Sequence, residues 1–278
     1  MQRTDAGEAA ARLGALERAH AEWRVWAELL RVTFHAAADP ASDRLLPDEG
    51  LHVPVPGDPL LHGREVRVDA ARLERHLERL GGLVGLDPVM HDVLDVARAA
   101  VRQDGEAIER AARLSATDPG VLETIVNLAV WPLLQACGRE LQARIPPGWT
   151  RGYCPVCGAW PVLAELRGLE RARCLRCGRC GADWRRPWLA CVYCDERDHE
   201  RLGSLVVPGR LEGRTVETCA SCQGHLKSCT TLLALAPPEL LVTDLETVEL
   251  DLAAWERGFR RPSRPGYAIS VRLTRAES

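Results

Sequence analysis

The sequence carries almost no net charge, has one lysine, and lacks any long apolar run. Its 278 residues include 36 basic and 39 acidic side chains, a formal net charge of −3. This near balance gives no reason to expect binding to nucleic acid or to an anionic membrane through overall charge. No uninterrupted apolar stretch approaches the roughly 18 to 20 residues that span a bilayer. We therefore expect no membrane span.

The first residues also lack the features of a secretory signal. Residues 1–12 are polar and rich in alanine, without a basic start, an apolar stretch or a small-residue cleavage site. We therefore expect a cytoplasmic protein. In a reducing compartment, cysteines favour metal thiolate sites over disulfides. The composition, 46% apolar and 27% charged, is typical of a folded soluble chain.

Motifs of common catalytic centres are missing as well. The sequence has no H-E-x-x-H, no G-x-S-x-G and no Gly-rich phosphate loop. No nucleophile–base pair or carboxylate dyad stands out, so we expect no turnover by the protein itself. We interpret the scattered histidines as surface or core residues rather than ligands: His20, His35, His52, His62, His76 and His91.

The cysteines divide the chain into two halves. Ten of the eleven lie between Cys154 and Cys229, and only Cys137 precedes them. We interpret Cys137, on an apolar helix, as a small buried hydrophobe. The sequence Pro146-Pro147-Gly148 marks the boundary between the halves.

Apolar spacing predicts helices before this boundary. From Glu8 to Ala38 the apolar residues recur mostly three, four and seven positions apart, which favours one half-buried helix. Asp39-Pro40 is expected to end it. A loop rich in proline and glycine should follow over residues 46–63.

Aspartates mark the starts of the later predicted helices. Asp69, Asp87 and Asp118 each precede a run of periodic apolar residues. In the two Asp-Pro cases, Asp87 and Asp118, the side chain can cap free backbone N–H groups while proline occupies the first helical turn. The last helix should end near Ile145. It is apolar on most sides and contains Pro132, so we expect it to be the buried, kinked centre of a bundle.

Four C-x2-C pairs in the second half predict two four-cysteine metal sites. Two intervening residues let the chain turn tightly enough to offer both sulfurs to one ion, while backbone N–H groups point at the sulfurs. The residue after the second cysteine often needs a positive φ, which Gly158 and Gly181 supply, with Asp195 and Gln223 as weaker versions. The predicted ligands are Cys154, Cys157, Cys177, Cys180, Cys191, Cys194, Cys219 and Cys222.

The spacers between pairs indicate how the pairs combine. Nineteen residues follow Cys157 before Cys177, and twenty-four follow Cys194 before Cys219. Either length can hold a hairpin that brings two pairs together. We expect the first two pairs to share one ion and the last two to share another, with interleaved pairing as the alternative. Strands are expected over residues 162–166, 202–207 and 214–217.

One pair is ambiguous, because Cys174-Leu-Arg-Cys177 is itself a C-x2-C. We prefer Cys177 with Cys180, since Gly181 follows. Cys174 and Cys229 are then spare, and we interpret them as inert. A thiol-redox motif is the alternative for an isolated pair, but four pairs within 69 residues favour metal. An all-sulfur tetrahedral site suits either zinc or mononuclear iron.

The cysteine motifs resemble those of the formate dehydrogenase accessory proteins of the FdhE type. The resemblance covers about half of the chain with specific motifs and the helical half only in general character. Its motifs are Arg151-Gly-Tyr-Cys-Pro-Val-Cys-Gly-Ala-Trp-Pro161, Cys177-x2-Cys180-x3-Trp184-x6-Cys191-x2-Cys194, Glu217-x-Cys219-x2-Cys222-x4-Lys227, and residues 242–251 continuing to Gly258-Phe259.

This resemblance implies a fold and a function. It implies a helical domain joined to two rubredoxin-like modules, each with a four-cysteine iron site, and action in the cytoplasm in assembling respiratory formate dehydrogenase. The implied partner is the catalytic subunit of that enzyme, which contains molybdenum or tungsten. The predicted fold class is α+β, an N-terminal α-helical bundle followed by two small rubredoxin-like or zinc-ribbon modules. The predicted domains are a helical domain at 1–148, metal modules at 149–188 and 189–235, and a partly helical segment at 236–278.

Two positions depart from the family pattern. His225 stands where the family commonly has tyrosine, and Arg261-Pro-Ser-Arg-Pro265 replaces the usual Asn-Pro ending. The additional Cys174 is also atypical. The cofactors implied are two mononuclear metal ions, iron by the resemblance, with zinc as the alternative.

Two other functions fit parts of the sequence. One is nucleic-acid binding by a zinc ribbon, because arginines crowd around the second cysteine pair with Trp184 and Trp188 nearby. We favour a solvated face instead, since arginines beside four thiolates offset their charge. The other is a rubredoxin-like electron carrier. The arginines are Arg167, Arg171, Arg173, Arg176, Arg179, Arg185 and Arg186.

Overall fold

The computed structural model describes residues 5–39, 45–46, 55–86, 93–206 and 213–276. Helices dominate the first half of these residues and strands the second. In chain order the elements are α1 (Asp5–Ala19), α2 (Arg24–Ala37), β1 (Arg64–Val68), α3 (Ala70–Leu83), α4 (Val93–Arg102), α5 (Gly105–Leu114), α6 (Pro119–Leu141), β2 (Leu163–Arg167), β3 (Ala172–Arg176), β4 (Asp183–Arg185), β5 (Leu202–Leu205), β6 (Arg214–Cys219), β7 (Gly224–Thr231), α7 (Pro237–Glu246), α8 (Val248–Glu256) and β8 (Val271–Arg275).

The single long helix predicted at the start is wrong, because the chain forms two helices there. A 3-10 turn, Ala21–Trp23, separates α1 from α2, and His20 before it has extended backbone angles of φ −142° and ψ 96°. The break lets Leu13 of α1 and Phe34 of α2 bury in one cluster with Trp131. Tertiary packing thus overrides the periodic pattern.

Side-chain caps begin two of the helices where the sequence predicts them. The Asp69 carboxylate accepts a hydrogen bond from the backbone N–H of Arg72 at 2.9 Å. Asp118 accepts one in the same way from Val121 at 3.0 Å. Both caps satisfy N–H groups that a helix start leaves without a partner. The third predicted start, at Asp87, lies outside the described residues.

The long helix α6 is the buried centre of the helical half, as predicted. Fourteen of its 23 residues are buried, and it packs against α2, α3, α4 and α5. By length and composition the segment Pro119–Arg144 could cross a membrane, but 67% of its apolar window is buried within the protein. That burial is typical of the core helix of a soluble protein.

Two short strands connect the beginning of the chain to its end. β1 and β8 pair in parallel, with Arg64 facing Val271 and Val68 facing Arg275. Val66 and Val68 of β1 are buried. Sequence analysis predicted neither strand, because each is short and gains its partner only from the other end of the chain.

The cysteine-rich half forms one six-stranded sheet. The strand order is β4-β3-β2-β7-β6-β5, antiparallel throughout except at the central pair, where β2 and β7 run parallel. The strand predicted over 162–166 is β2, and those predicted over 202–207 and 214–217 are the antiparallel strands β5 and β6. Residues 207–212, between β5 and β6 in the sequence, lie outside the described residues. The division of the chain into domains at 1–148, 149–188, 189–235 and 236–278 stays a prediction.

The last two helices cover one face of this sheet. α8 contacts β6 and β7, and α7 contacts α1 of the helical half. Val216 of β6 packs on Leu250 and Ala254 of α8. The partly helical C-terminal segment therefore bridges the sheet and the helical half.

A partly buried histidine on α3 predicts acid-sensitive stability. Burial lowers the pKa of His76 to about 4, outweighing a backbone hydrogen bond with Leu128 that favours the charged form. Between about pH 6.5 and pH 4 the unfolded chain therefore binds a proton that the folded chain does not. Stability should fall as the pH falls through this window, with a full effect of roughly 3 kcal/mol.

The variant His76→Gln should flatten this pH dependence. Urea unfolding of the wild type and the variant, compared at about pH 6.5 and about pH 4, measures the difference. The matched control is His20→Gln, because His20 is exposed. An equal pH dependence in His76→Gln and the wild type would contradict the assignment.

Candidate metal centres

The structure gathers the first two cysteine pairs into one group, hereafter the first cluster. Its four sulfur atoms all lie within 4.8 Å of one another, and every one of the four residues is buried. The Cys154 and Cys180 sulfurs are 3.5 Å apart, and so are those of Cys157 and Cys177. The first pair precedes β2, and the second pair lies between β3 and β4.

The last two pairs form a second cluster beside the other half of the sheet. Their four sulfurs also lie within 4.8 Å of one another. Cys191 and Cys222 are 3.6 Å apart, and Cys194 and Cys219 are 3.7 Å apart. This is the sequential grouping of pairs and not the interleaved alternative. That these eight sulfurs bind metal stays a prediction.

The turns at the clusters have the backbone geometry that the sequence predicts. The residue after each second cysteine has a positive φ: 74° at Gly158, 75° at Gly181, 60° at Asp195 and 56° at Gln223. Backbone N–H groups inside the turns donate to sulfur, as that of Val156 does to Cys154 at 3.4 Å. Such donors stabilise negative charge on a thiolate.

The sulfur geometry fits a tetrahedral metal site. Four sulfurs around one ion, with metal–sulfur bonds of about 2.3 Å, lie about 3.8 Å from one another. The observed 3.5–3.7 Å is close to that and far from the roughly 2.05 Å of a disulfide. All eleven cysteines are free thiols. Each cluster could therefore hold one metal ion, and zinc and iron suit this donor set equally.

The burial and crowding of the cluster thiols favour a bound cation. Burial raises the pKa of Cys154 and Cys180, and it raises that of Cys191 to about 11. Hydrogen bonds from the neighbouring thiols lower the pKa of Cys157 instead. A crowded set of thiols at low exposure cannot all ionise unless a positive ion offsets their charge.

The three remaining cysteines lie outside both clusters. Cys174 is on β3 and Cys229 on β7, and both are buried, as is Cys137 on α6. Burial raises the pKa of Cys174, that of Cys229 to about 11 and that of Cys137 to about 12. These thiols therefore stay protonated near neutral pH, which agrees with the interpretation that they are inert.

Helix α6 contacts the first cluster through the turn that contains Cys177 and Cys180. The Trp131 indole N–H donates to the carbonyl of Gly178 at 2.8 Å, and the Gln135 amide donates to that of Arg179 at 3.0 Å. One turn further along, a Cβ on Gly138 would lie 1.8 Å from the carbonyl oxygen of Cys180. The helical half is thus docked directly on a cluster.

This close approach makes Gly138→Ala a destabilising change. The added methyl group cannot fit against backbone atoms, so the helix and the turn must separate at a cost of at least about 2–3 kcal/mol. Gly82→Ala on α3 is the matched control, because a Cβ there meets nothing within 4 Å. That control should gain roughly 0.5–1 kcal/mol from better helix propensity. Urea unfolding of both variants measures the contrast, and equal stabilities would contradict the docking.

Most of the arginines around the second cysteine pair are buried or partly buried. Three of the seven are buried in ion pairs, and only Arg171 and Arg185 are exposed. The interpretation of this segment as a nucleic-acid surface loses its main support. The buried pairs are Arg173 with Glu217, Arg176 with Glu165, and Arg186 with Asp195.

A group of charged side chains joins β7 to α7 and α8. Lys227, the single lysine of the chain, is only 2% exposed. Its Nζ lies 2.6 Å from a carboxylate oxygen of Asp244 and 2.6 Å from one of Asp251. It also donates to the backbone carbonyl of Asp244 at 2.7 Å. Lys227 therefore ties the sheet to α7 and α8.

The two departures from the family pattern meet at Asp251. His225 Nε2 lies 2.9 Å from Asp251 Oδ1, and Arg261 donates to the same oxygen at 3.0 Å. Burial opposes the charged carboxylate, but the hydrogen bond from His225 and the charges of Arg261 and Lys227 hold the pKa of Asp251 well below its usual range. Sequence analysis missed this role of Asp244 and Asp251, although both lie in the segment of resemblance. The sequence signal for this role was Lys227, the single lysine in a chain whose other basic residues are arginines.

Comparison with known proteins identifies the family resemblance. No protein-family model matches the chain. The FdhE homologue of Aquifex aeolicus is 34% identical over 122 residues, 42% of this chain and 41% of that protein. The FdhE homologue of Stutzerimonas stutzeri is 37% identical over 112 residues, 39% of this chain and 35% of that protein. The predicted resemblance to the FdhE family is confirmed.

The FdhE likeness in sequence spans less than half of the length of these curated relatives. The likeness in fold extends further. The crystal structure of the FdhE protein from Pseudomonas aeruginosa matches with a TM-score of 0.58 and 23% identity, covering 96% of this chain and 97% of that one. With the two clusters, this match confirms the predicted α+β class of a helical bundle followed by two small zinc-ribbon-like modules.

Proposed function

We propose that this protein is an FdhE-type accessory protein in the maturation of respiratory formate dehydrogenase. The observation that carries the proposal is the pair of four-sulfur clusters on one sheet, docked to a helical platform, in a chain similar to FdhE proteins. In this proposal each cluster binds one metal ion through its four cysteines. The ions are iron by family resemblance, with zinc as the alternative.

The proposed partner is the catalytic subunit of formate dehydrogenase, which contains molybdenum or tungsten. The protein would bind this subunit in the cytoplasm and turn over no substrate of its own. Two observations support a binding role. The charged groups that join β7 to α7 and α8 are engaged with one another, as Lys227 is with Asp244 and Asp251. Each cluster brings four sulfurs together, so an ion bound there would have four protein ligands and no open position for a substrate, as in a structural site.

A second candidate function is rubredoxin-like electron transfer. The observation in its favour is that Cys194 and Cys222 of the second cluster are exposed, as the edge of an electron carrier must be. A ferric ion held by four thiolates is red and a zinc ion is colourless. Two results together would favour this candidate. A reductant should reversibly bleach the purified protein, and cells that lack the protein should still assemble formate dehydrogenase.

Deletion and complementation test the proposed function. Cells that lack this protein should lose formate dehydrogenase activity, and the wild-type chain should restore it. The Cys174→Ser variant should restore activity equally, whereas Cys177→Ser should not. A tagged catalytic subunit should retain the wild-type protein during purification. Full formate dehydrogenase activity in the deletion strain would overturn the proposal.

A further inference from the structure

The two clusters differ sharply in exposure to solvent. In the first cluster Cys154, Cys157 and Cys177 are 0% exposed and Cys180 is 2% exposed. In the second cluster two of the four cysteines, Cys194 and Cys222, are exposed. The same donor set therefore stands in two different environments within one chain.

Three segments from outside the six-stranded sheet lie against the first cluster. Helix α6 lies against the Cys177–Cys180 turn, as its contact at Gly138 shows. The C-terminal segment closes on the other turn, where the Tyr267 N–H donates to the Gly158 carbonyl at 2.9 Å. The loop before β1 adds a hydrogen bond from the Leu61 N–H to the Val156 carbonyl at 3.0 Å. An incoming ligand can reach these sulfurs only after such contacts separate.

The second cluster is less covered among the described residues, with the Arg260 N–H donating to the Gln223 carbonyl in its last turn at 2.8 Å. Ala220, Ser221 and Gln223, which surround Cys222 in its turn, are all exposed. On the other side a cavity of about 200 Å³ borders Cys191 and Cys219. Two of the four cysteines are thus exposed, and the other two are buried residues that border the cavity.

We propose that the second cluster is the exchangeable metal site, and that the first cluster keeps its ion as a permanent structural element. This inference rests on the proposed function, which places one ion in each cluster. Exchange at the second cluster is a ligand substitution. Cys194 or Cys222 would give up its bond to the ion as an incoming chelator bonds to it, and the released thiolate would take a proton from water. The oxidation state of the metal does not change.

Zinc release from the full chain tests the inference. Protein loaded with two zinc ions is mixed with excess 4-(2-pyridylazo)resorcinol, and the absorbance of the zinc complex is followed. We expect two phases of one ion each, with rates that differ by at least about tenfold, because release from the first cluster requires local opening. The Cys222→Ser variant should lose the ion of the fast phase or release it faster still, while the slow phase is unchanged. The control Cys174→Ser should keep both phases.

Alkylation of the wild-type chain gives a second measurement that needs no variant. After the fast phase, N-ethylmaleimide should label the four cysteines of the second cluster, while those of the first stay protected until the slow phase. Release of both ions at one rate, or earlier labelling of the first cluster, would overturn the inference but leave the two metal sites intact. Binding of fewer than two zinc ions by the wild type would count against the proposed function itself and remove the basis of the inference.

Discussion

Replacing Cys177 by serine should remove one metal ion and most of the stability of the sheet. The cluster it belongs to is fully buried, and helix α6 and the C-terminal segment both pack on its turns. Binding of a structural ion by four thiolates contributes folding free energy on the order of 10 kcal/mol. Elemental analysis and thermal unfolding of the purified full chain measure the two losses.

Cys174→Ser is the matched control for this change. Cys174 and Cys177 form a C-x2-C of their own, and both are buried, but only Cys177 lies in a cluster. The control should keep both ions and lose no more than about 1–2 kcal/mol from altered packing. If Cys174→Ser lost an ion and Cys177→Ser kept both, the assignment of ligands would be wrong.

The variant Lys227→Met should destabilise the protein by about 3–5 kcal/mol. The ammonium group lies between two carboxylates, those of Asp244 and Asp251, at 2.6 Å from each. Its removal leaves two partly buried carboxylates close together, where their repulsion raises the energy of the folded state. Arg261 still contacts both carboxylates, so the fold itself should persist. Urea unfolding at neutral pH measures the loss.

An exposed ion pair provides the control for Lys227. Arg272 lies 3.7 Å from Glu65, and its side chain is 75% exposed, so Arg272→Met should change stability by less than about 1 kcal/mol. The double variant Lys227→Met/Asp244→Asn should recover part of the loss, because it also removes one of the two carboxylates that then share Arg261. A loss for Lys227→Met no larger than that for Arg272→Met would show that the buried group contributes little.

The amino-acid sequence alone determined the local features of this protein. The C-x2-C pairs, the positive φ after each of them, and the aspartate caps at Asp69 and Asp118 all follow from residues a few positions apart. Conformational limits and hydrogen bonds within one turn decide such features, so they can be predicted without knowledge of the rest of the chain. The resemblance to FdhE proteins rests on the same local motifs.

Only the tertiary structure decided what these local features touch. The parallel pairing of β2 with β7, the docking of Gly138 on Cys180, and the burial of Lys227 against α7 and α8 join segments distant in sequence. Tertiary packing also divided the first helix in two and placed several arginines inside the protein. Each of these contacts depends on which apolar faces and charges can be buried together. That choice is made by the whole chain, because no local pattern specifies a distant partner.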